Sequence, residues 1–267
     1  MKLGLIGIGN MGQAIVQGYI EADPGVEKDI YAYHPDQEKA ELFAAYLGLA
    51  GGFGSLEAIM AECDMLLLAV KPGKFDEILP QMAPYMTADK VLVSVAAGIT
   101  MGYIEKFFEE TPAVIRVMPN TPCLVGAGMS ALCHNDKVSD EAFNEAMKLF
   151  GSVGDAWAVD EKMMDAVVGV SGSGPAYVYM FIEAMADGAV AQGMPRDLAY
   201  HFAAQTVLGA AAMVLETGEH PGTLKDKVCS PGGTTIEAVC VLEAAGFRST
   251  VMDAVQAAAE KSEKMRK

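Results

Sequence analysis

The chain has 267 residues, of which 52% are hydrophobic and 20% are charged, with a formal net charge of −16. This length fits one large domain or two modest ones, and the composition is apolar enough to bury a substantial core. The acidic balance excludes a general affinity for nucleic acid or an anionic membrane, so any phosphate group must be held locally, by backbone amides or a few side chains.

The sequence gives no indication of a secretory leader, a membrane span or a disulfide framework. Glycines interrupt the apolar opening MKLGLIGIG, no small-residue cleavage pattern follows it, and no run of about twenty apolar residues occurs. The five cysteines are odd in number and form no CxxC pair. We therefore expect a cytoplasmic protein with reduced thiols and no membrane partner.

The first 158 residues alternate short apolar runs with helical patterns. The predicted strands are KLGLIGI, DIYAY, CDMLLLAV, KVLVSVA and AVIRVM, and the predicted helices between them are EKAELFAAYL, KFDEILPQM and TMGYIEKFFEE. The segment GMSALCHN, a helix over 139–150 and a strand DAWAVD complete the sheet. This alternation predicts an α/β domain over 1–158, a doubly wound, Rossmann-type parallel sheet covered by helices on both faces.

Residues 159–267 show helical patterns only, which predicts an all-α second domain. The predicted helices cover 160–169, 174–192, 196–216, 234–244 and 248–264. Some are apolar around more of their circumference than a solvated surface tolerates, as in AYHFAAQTVLGAAAMVLE. Burial against a second copy explains this pattern, so we expect a homodimer or a larger ring of subunits.

Three glycines in LGLIGIGNMGQAI form a dinucleotide-binding fingerprint. Gly7, Gly9 and Gly12 have the spacing G-x-G-x-x-G between the first strand and the first helix. The first permits a tight turn, the second allows a pyrophosphate to approach the backbone, and the third allows close packing of helix and strand. The helix N-terminus adds free amides for the phosphates.

The end of the second strand favours NADPH over NADH as the cofactor. An Asp or Glu there would bind the 2′-hydroxyl of NAD, but the sequence has Tyr33 and His34, and the first acid is Asp36, beyond the turn. His34, with Lys39 nearby, is the candidate for a 2′-phosphate; the alternative is a surface residue at a turn. An Arg would suit a phosphate better than this His, and NADH stays an alternative.

Three further loops follow predicted strands, where ligands bind in open α/β sheets. They are AVKP at 69–72, SVAAG at 94–98 and MPNTP at 118–122, in which prolines flank the segment of Asn120. Each could be an ordinary loop. Together at one edge of the sheet they predict a nicotinamide pocket.

The segment from Ser230 to Thr235, SPGGTT, predicts an anion site at a helix start. Its glycines expose backbone N–H groups that can hold a substrate carboxylate without a basic residue, and the threonine hydroxyls can touch the reacting atom. The alternative is that Thr234 or Thr235 simply caps the helix. Cys229 has no His placed as its base, which disfavours a thiol nucleophile, and no metal cluster is visible.

Several motifs together resemble the pyrroline-5-carboxylate reductase family, in the family's order along the whole chain. They are LGLIGIGNMGQAI, LAVKP, SVAAGIT, RVMPNTP, SGSGPAY, and LKDKVCSPGGTTIEAVCVLE followed by GFRS. The resemblance implies NAD(P)H-dependent reduction of L-1-pyrroline-5-carboxylate to L-proline. It also implies a Rossmann domain and a helical dimerisation domain, with sites formed between two subunits and often a ring of dimers.

The resemblance also implies roles for individual residues. Thr235 would reach the imine nitrogen as the catalytic residue, next to Thr234, while Ser230 and the loop amides of Gly232 and Gly233 would hold the carboxylate. Glu161 and Asp226 match polar positions that line the family's site. The residues that match the family's cofactor loops are Ile6, Gly7, Ile8, Gly9, Asn10, Met11, Ala69, Val70, Lys71, Pro72, Val95, Ala96 and Ala97.

Two departures from the family pattern concern the cofactor. Tyr33 and His34 replace an Asn-Arg or Ser pair, and Ser55 stands where an Asn often contacts the cofactor. Two other functions remain open at this point. One is a related Rossmann reductase of another cyclic imine or a 3-hydroxy acid, although no lysine occupies the helix position that hydroxy-acid enzymes need. The other is a non-catalytic NADP(H)-sensing protein, which would not need the SPGGTT loop.

Overall fold

A computed structural model describes all 267 residues of the chain. Contacts between Cα atoms divide it into two compact units, which are described separately. The first unit comprises Met1–Gly172 together with Ala257–Lys267, and the second comprises Ser173–Gln256. This division differs from the predicted domain boundary after residue 158, because 159–172 and the last eleven residues pack with the first unit.

The first unit is built on an eight-stranded sheet with the order β3-β2-β1-β4-β5-β6-β7-β8. Neighbouring strands are parallel, except that β6 and β7 are antiparallel. The strands are β1 Leu3–Ile6, β2 Ile30–Tyr33, β3 Gly51–Phe53, β4 Met65–Leu68, β5 Val91–Ser94, β6 Ala113–Met118, β7 Gly128–His134 and β8 Gly154–Ala158. The order β3-β2-β1-β4 reverses direction between β1 and β4, which is where open α/β sheets bind their ligands.

Seven helices connect these strands or follow the sheet. They are α1 Asn10–Ala22, α2 Gln37–Leu47, α3 Leu56–Glu62, α4 Phe75–Met82, α5 Met101–Glu105, α6 Asp140–Gly151 and α7 Met164–Val167. Side chains of Asp36, Ser55, Thr100 and Ser139 accept a backbone N–H at the starts of α2, α3, α5 and α6. These caps satisfy donors that have no partner within the helix, so the sequence itself fixes where four of the helices begin.

Both faces of the central sheet are buried. Alternate side chains of β4 point to opposite faces, so that Leu67 joins one hydrophobic cluster while Leu66 and Leu68 join the other. All three are fully buried. Burial on both faces explains why these strands are continuous apolar runs instead of alternating patterns.

The second unit is all-helical and buries very little of its own surface. Its helices are α8 Gly174–Ala191, α9 Arg196–Thr217, α10 Pro221–Val228, α11 Thr234–Ala244 and α12 Phe247–Met265, of which α12 continues into the residues assigned to the first unit. Its small core consists of Ala186, Ala199 and Ala203. By length and composition α9 could cross a membrane, although most of its apolar residues are simply exposed in the single chain.

The α/β fold followed by an all-α region is confirmed, and the differences from the predicted elements are local. The prediction missed β3, α3 and α10, whose segments are short. The helix predicted over 160–169 is a 3-10 turn at Glu161–Met163, then α7, then a π-helical turn at Val168–Gly172. The pattern TMGYIEKFFEE forms only the five residues of α5, because Phe107 and Phe108 donate to carbonyls three residues back, in a tighter turn that ends the α-helix.

Candidate functional site

The predicted cofactor loops lie next to one another because β1, β4 and β5 are neighbouring parallel strands. Gly7, Ala69 and Val95 each follow the carboxyl end of one of these strands. The N–H of Ala69 donates to the carbonyl of Ile6 at 2.9 Å, and the N–H of Val95 donates to the carbonyl of Leu68 at 3.3 Å. The three loops therefore form one continuous rim at the switch point of the sheet.

The three fingerprint glycines have the geometry that their spacing predicts. Gly7 has a φ of +107°, and a Cβ there would lie 2.8 Å from Cγ1 of Val70. A Cβ at Gly12 would lie 2.6 Å from the carbonyl oxygen of Gly7 and 2.9 Å from Cδ1 of Leu5. A Cβ at Gly9 would meet no atom within 4 Å. Gly7 and Gly12 are needed for the chain's own packing, whereas Gly9 leaves space open above the backbone.

The N-terminus of α1 offers free hydrogen-bond donors beside that open space. Gly9 is the N-cap and carries no side chain, and the first helical bond is donated by the N–H of Gln13 to the carbonyl of Gly9 at 2.9 Å. The amides of Asn10, Met11 and Gly12 therefore point out of the helix without an intrahelical partner. Free donors and an open approach fit the pyrophosphate of a dinucleotide, which makes this rim the candidate cofactor site.

The turn after β2 is organised by its own side chains. Nδ1 of His34 accepts the N–H of Asp36 at 3.0 Å, and the carboxylate of Asp36 caps α2 by accepting the N–H of Lys39 at 3.4 Å. Nζ of Lys39 lies 3.4 Å from the same carboxylate. The Lys39 backbone N–H lowers the pKa of Asp36, so the carboxylate is ionised and lies beside the ammonium group of Lys39 in the turn after β2.

Two further predicted cofactor residues are held by structural hydrogen bonds. Ser55 follows β3 and caps α3 by accepting the N–H of Ala58 at 3.2 Å. Asn120 is buried, and its side chain donates to the carbonyl of Ser171 at 3.0 Å and accepts the N–H of Met129 at 2.9 Å. Both side chains fix loops of the protein, and a contact with the cofactor stays a prediction for each.

The loops after β4 and β5 are less polar than the start of α1. Lys71 is exposed and forms no ion pair, and Pro72 opens the 3-10 turn Pro72–Lys74 that leads into α4. Val95 is half-buried, Ala96 is buried and Ala97 is exposed. The rim beside the glycines is therefore largely apolar, with one free ammonium group at its edge, which suits a nicotinamide ring more than a second phosphate.

Glu161 pairs with a buried arginine near the carboxyl end of β6. Nη1 of Arg116, whose side chain is 5% exposed, lies 3.0 Å from Oε1 of Glu161, and the same oxygen accepts the N–H of Met101 at 2.9 Å. Burial raises the pKa of the neighbouring Cys133 thiol to about 12, with the Glu161 charge acting in the same direction. This carboxylate is thus committed to holding the start of α5, and Cys133 stays a protonated thiol.

The SPGGTT loop of the second unit has the tight turn that its glycines predict. Gly232 has a φ of +67°, and the N–H of Gly233 donates to the carbonyl of Ser230 at 3.0 Å. A Cβ at Gly233 would lie 2.3 Å from Oγ of Ser230. A side chain at Gly232 would strain the left-handed backbone of the turn, and one at Gly233 would displace the hydroxyl of Ser230.

The two threonines do not cap α11. Gly233 is the N-cap with no side-chain bond, so Thr234 and Thr235 are the first two helical residues. Thr234 is exposed and Thr235 is half-buried. Because the first three amides of the helix have no intrahelical partner, this end keeps free donors and two hydroxyl groups without a capping role. The alternative that Thr234 or Thr235 caps the helix is therefore wrong. An anion site at this helix start fits the geometry.

The structure gathers the predicted cofactor residues in the first unit and most predicted substrate residues in the second. Glu161 belongs to the first unit; Asp226, Ser230 and the SPGGTT threonines belong to the second. Asp226 is exposed at the end of α10 and accepts Nζ of Lys225 at 2.5 Å. The roles of these residues in binding stay predictions.

Sequence reasoning missed four polar residues of the first unit. They are Arg116, Asp165, Ser262 and Arg266. A signal existed for Arg116, since a lone arginine in the apolar strand AVIRVM needs a buried partner. No local pattern pointed to the other three, because their contacts join positions about one hundred residues apart.

Two family models match the chain, one for each part. A model described as pyrroline-5-carboxylate reductase dimerisation matches residues 161–265, and one described as NADP oxidoreductase, coenzyme F420-dependent, matches residues 2–98. The first covers nearly all of the helical region, and the second covers the sheet through β5 and its following loop.

The chain is also similar over its full length to proteins named pyrroline-5-carboxylate reductase. It is 47% identical to the one from Escherichia coli K12, with 100% of this chain and 98% of that protein covered. It is 43% identical to the one from Glycine max, with 98% and 95% covered. Both relatives match the sheet and the helices together, so the similarity is not confined to the common glycine fingerprint.

Solved structures give the same result. A pyrroline carboxylate reductase of Plasmodium falciparum with NADP bound has a TM-score of 0.88 at 35% identity, with 100% of this chain and 98% of that chain covered. A pyrroline-5-carboxylate reductase of Coxiella burnetii has a TM-score of 0.93 at 32% identity, with the same coverage.

Proposed function

We propose that this chain, which belongs to the pyrroline-5-carboxylate reductase family, reduces L-1-pyrroline-5-carboxylate to L-proline with NAD(P)H. One observation carries the proposal: the full-length match at 47% identity includes both the glycine rim and the SPGGTT helix start. The ring nitrogen is protonated as an iminium, the hydride adds to C5, and the π electrons of the C=N bond become the lone pair of a neutral secondary amine. It is the last step of proline biosynthesis.

The rim of the first unit is the part that would hold the cofactor. The free amides at the start of α1 would bind the pyrophosphate, and the loops at 69–72 and 95–97 would enclose the nicotinamide. When bound, the reduced nicotinamide supplies the hydride. We propose NADPH as the preferred cofactor, with NADH accepted as well because Asp36 places a carboxylate in the turn after β2.

The start of α11 would hold the substrate. Its free amides and positive dipole end suit the ring carboxylate, with the Ser230 turn closing the loop. The hydroxyl of Thr235 would then hold the ring nitrogen and keep C5 facing the cofactor. Because an iminium already accepts hydride well, orientation is the main task of these groups, and no strong acid is required.

We propose a homodimer as the minimum unit, and a ring of such dimers as the larger assembly, in the cytoplasm. The exposed apolar surface of the second unit supports this, because residues such as Leu208 and Leu215 are 62% and 81% exposed in the single chain. A second copy would cover the apolar surface of α9, which makes a membrane or a nucleic acid an unnecessary partner.

One assay tests the function directly. Oxidation of NADPH and of NADH is followed at fixed enzyme concentration with pyrroline-5-carboxylate as substrate, and the product is identified as proline. Two control substrates test for the activities of related reductases. One is piperideine-2-carboxylate, and the other is a 3-hydroxy acid, which is assayed with the oxidised cofactor. We expect turnover with the first substrate to exceed that with either control. No turnover with pyrroline-5-carboxylate excludes the proposal.

A further inference from the structure

The loop after β5 is held by residues far from it in sequence. The N–H of Lys267 donates to the carbonyl of Gly98 at 2.8 Å, and Oγ1 of Thr100 donates to the carbonyl of Lys267 at 2.7 Å. Nζ of Lys267 also lies 3.1 Å from Oδ2 of Asp76, in the first turn of α4. One residue therefore bridges the segments that follow β4 and β5.

The same loop has only weak internal support. The N–H of Ala96 donates to Oγ of Ser94 at 3.4 Å, and the N–H of Ile99 donates to the carbonyl of Ala96 at 3.5 Å. Both distances exceed the usual range for such bonds. The loop therefore takes its order from its surroundings: Ala96 and Ile99 are buried in the core, and the segment 262–267 covers Gly98.

A buried carboxylate fixes the segment that makes those outside contacts. Asp165 on α7 is 8% exposed; its Oδ1 accepts Oγ of Ser262 at 2.7 Å, and its Oδ2 is paired with the guanidinium of Arg266. Ser262 is itself buried. Because a buried carboxylate is costly without partners, Asp165 strongly favours the docked position of 262–266.

Close packing completes the arrangement. Gly98 has a φ of +76°, and a Cβ there would lie 3.0 Å from the carbonyl oxygen of Met265. The segment 262–267 thus lies against the backbone of the loop, with no room for a side chain between them.

We propose that Asp165, Ser262 and Arg266 form a clamp that positions the loop 95–98 for the dinucleotide cofactor. Asp165 is a positioning residue: it acts through 262–267 on a loop that lies beside the glycine rim. The inference rests on the proposed function, because it assumes that residues 95–97 contact the cofactor. A loop already ordered before binding loses less conformational freedom when the cofactor binds, so the clamp raises affinity for the cofactor.

The test measures cofactor binding and loop mobility without any substrate. Asp165→Asn and Arg266→Ala are compared with the native chain by NADPH titration and by hydrogen exchange of a peptide covering 95–101, in the absence of cofactor. We expect the Kd for NADPH to rise about fivefold in each variant, and the peptide to exchange faster. In turnover, the KM for NADPH should rise while kcat at saturating NADPH stays within about twofold.

Lys90→Met is the matched control. Its ammonium group is buried at the opposite end of β5 and donates to the carbonyl of Cys63 at 3.0 Å, so its loss also removes a buried polar contact. We expect Lys90→Met to lower Tm with an unchanged Kd and unchanged exchange of 95–101. If Asp165→Asn does not fold, Arg266→Ala decides, since that side chain is 41% exposed.

Two results overturn the clamp. Lowered Tm with native Kd and native loop exchange means that Asp165 supports only the fold. Native Tm, native Kd and native exchange of 95–101 in both variants mean that 262–267 does not control the loop. Both results are measured without reductase activity. If the chain binds NADPH but does not reduce pyrroline-5-carboxylate, the proposed function is refuted, and the Kd and exchange measurements still decide the clamp.

Discussion

The two units of the chain differ in how much of their apolar surface they bury. The largest fully buried side chains, among them Phe75, Phe150 and Leu67, all lie in the first unit. In the second unit the buried residues are Gly174, Ala186, Ala199 and Ala203. Large side chains such as Phe202 and Met252 are instead exposed there, at 54% and 70%.

The two units therefore differ in what completes their packing. The first contains a complete two-sided core and carries the candidate cofactor rim at the carboxyl ends of β1, β4 and β5. The second has an apolar surface that has no counterpart within its own fold, which is typical of a surface that another chain covers. Four experiments test this difference between the units and the sites assigned to them.

The largest effect is expected from charges on the apolar surface of α9. In the double variant Leu208→Glu/Leu215→Glu, two residues seven apart on one helix face become charged. Burying each carboxylate in an interface costs about 2 kcal/mol or more, so we expect subunit association to weaken at least about 1000-fold. Light scattering after size exclusion measures the mass.

The matched control places the same charges on the first unit. Leu42 and Tyr46 lie on α2 and are 63% and 80% exposed, close to the exposures of Leu208 and Leu215. We expect Leu42→Glu/Tyr46→Glu to keep the native mass. Equal behaviour of the two double variants would contradict the idea that the units differ in their neighbours.

The second experiment separates packing from ligand space at the glycine rim. Gly12→Val would push its side chain against the carbonyl of Gly7, which costs about 2 kcal/mol of folding stability, so we expect Tm to fall. The start of α1 must also shift, and losing two of its hydrogen bonds to the pyrophosphate at about 1 kcal/mol each would raise the Kd for NADPH about 30-fold. Gly9→Ala is the control because its Cβ meets no protein atom. It should keep Tm and still weaken NADPH, and native affinity in Gly9→Ala would remove Gly9 from the site.

The third experiment tests chemistry in the second unit. Thr235→Ala should lower kcat at least about tenfold, the effect of losing a hydrogen bond worth about 1.4 kcal/mol in the transition state. Steady-state kinetics measure it, with Thr234→Ala as the neighbouring control, for which we expect a smaller loss. Unchanged kinetics of Thr235→Ala would show that its hydroxyl does not touch the reacting nitrogen.

The smallest effect is expected at the turn after β2. Asp36→Asn removes a negative charge and keeps an N-cap, so kcat/KM for NADPH relative to NADH should rise about threefold. The control, Asp140→Asn, removes a similar exposed charge from the first turn of α6. A ratio that does not change in Asp36→Asn, or changes equally in the control, speaks against a role of this turn in cofactor choice.

Much of the first unit could be predicted because its signals are local. Apolar runs in β1, β4, β5 and β6 and the glycine spacing specify strands and a binding turn within a few residues. β3 could not be predicted in this way, since GGF has no apolar pattern and forms only because it pairs with β2. The strand β7 could be predicted from GMSALCHN, but its antiparallel direction could not, because it depends on how the chain returns after Met118.

The candidate site shows the same limit. The free helix start of α11 follows from proline and two glycines, and it was predictable except that Gly233, not a threonine, is the cap. The ion pair between Glu161 and Arg116 could not be predicted, because nothing in the sequence around Glu161 indicates a partner 45 residues away. Contacts between distant segments produce no periodic pattern in the sequence. The partners of residues such as Asp165 can therefore be identified only in the folded chain.

The contacts of Asp165 have a consequence for the order in which the protein can form. During synthesis the sheet strands leave the ribosome first and can begin to assemble. The carboxylate of Asp165 gains its partners only when Ser262 and Arg266 have also been made. The loop after β5 therefore gains its contacts with Lys267 only after the helices of the second unit have been synthesised.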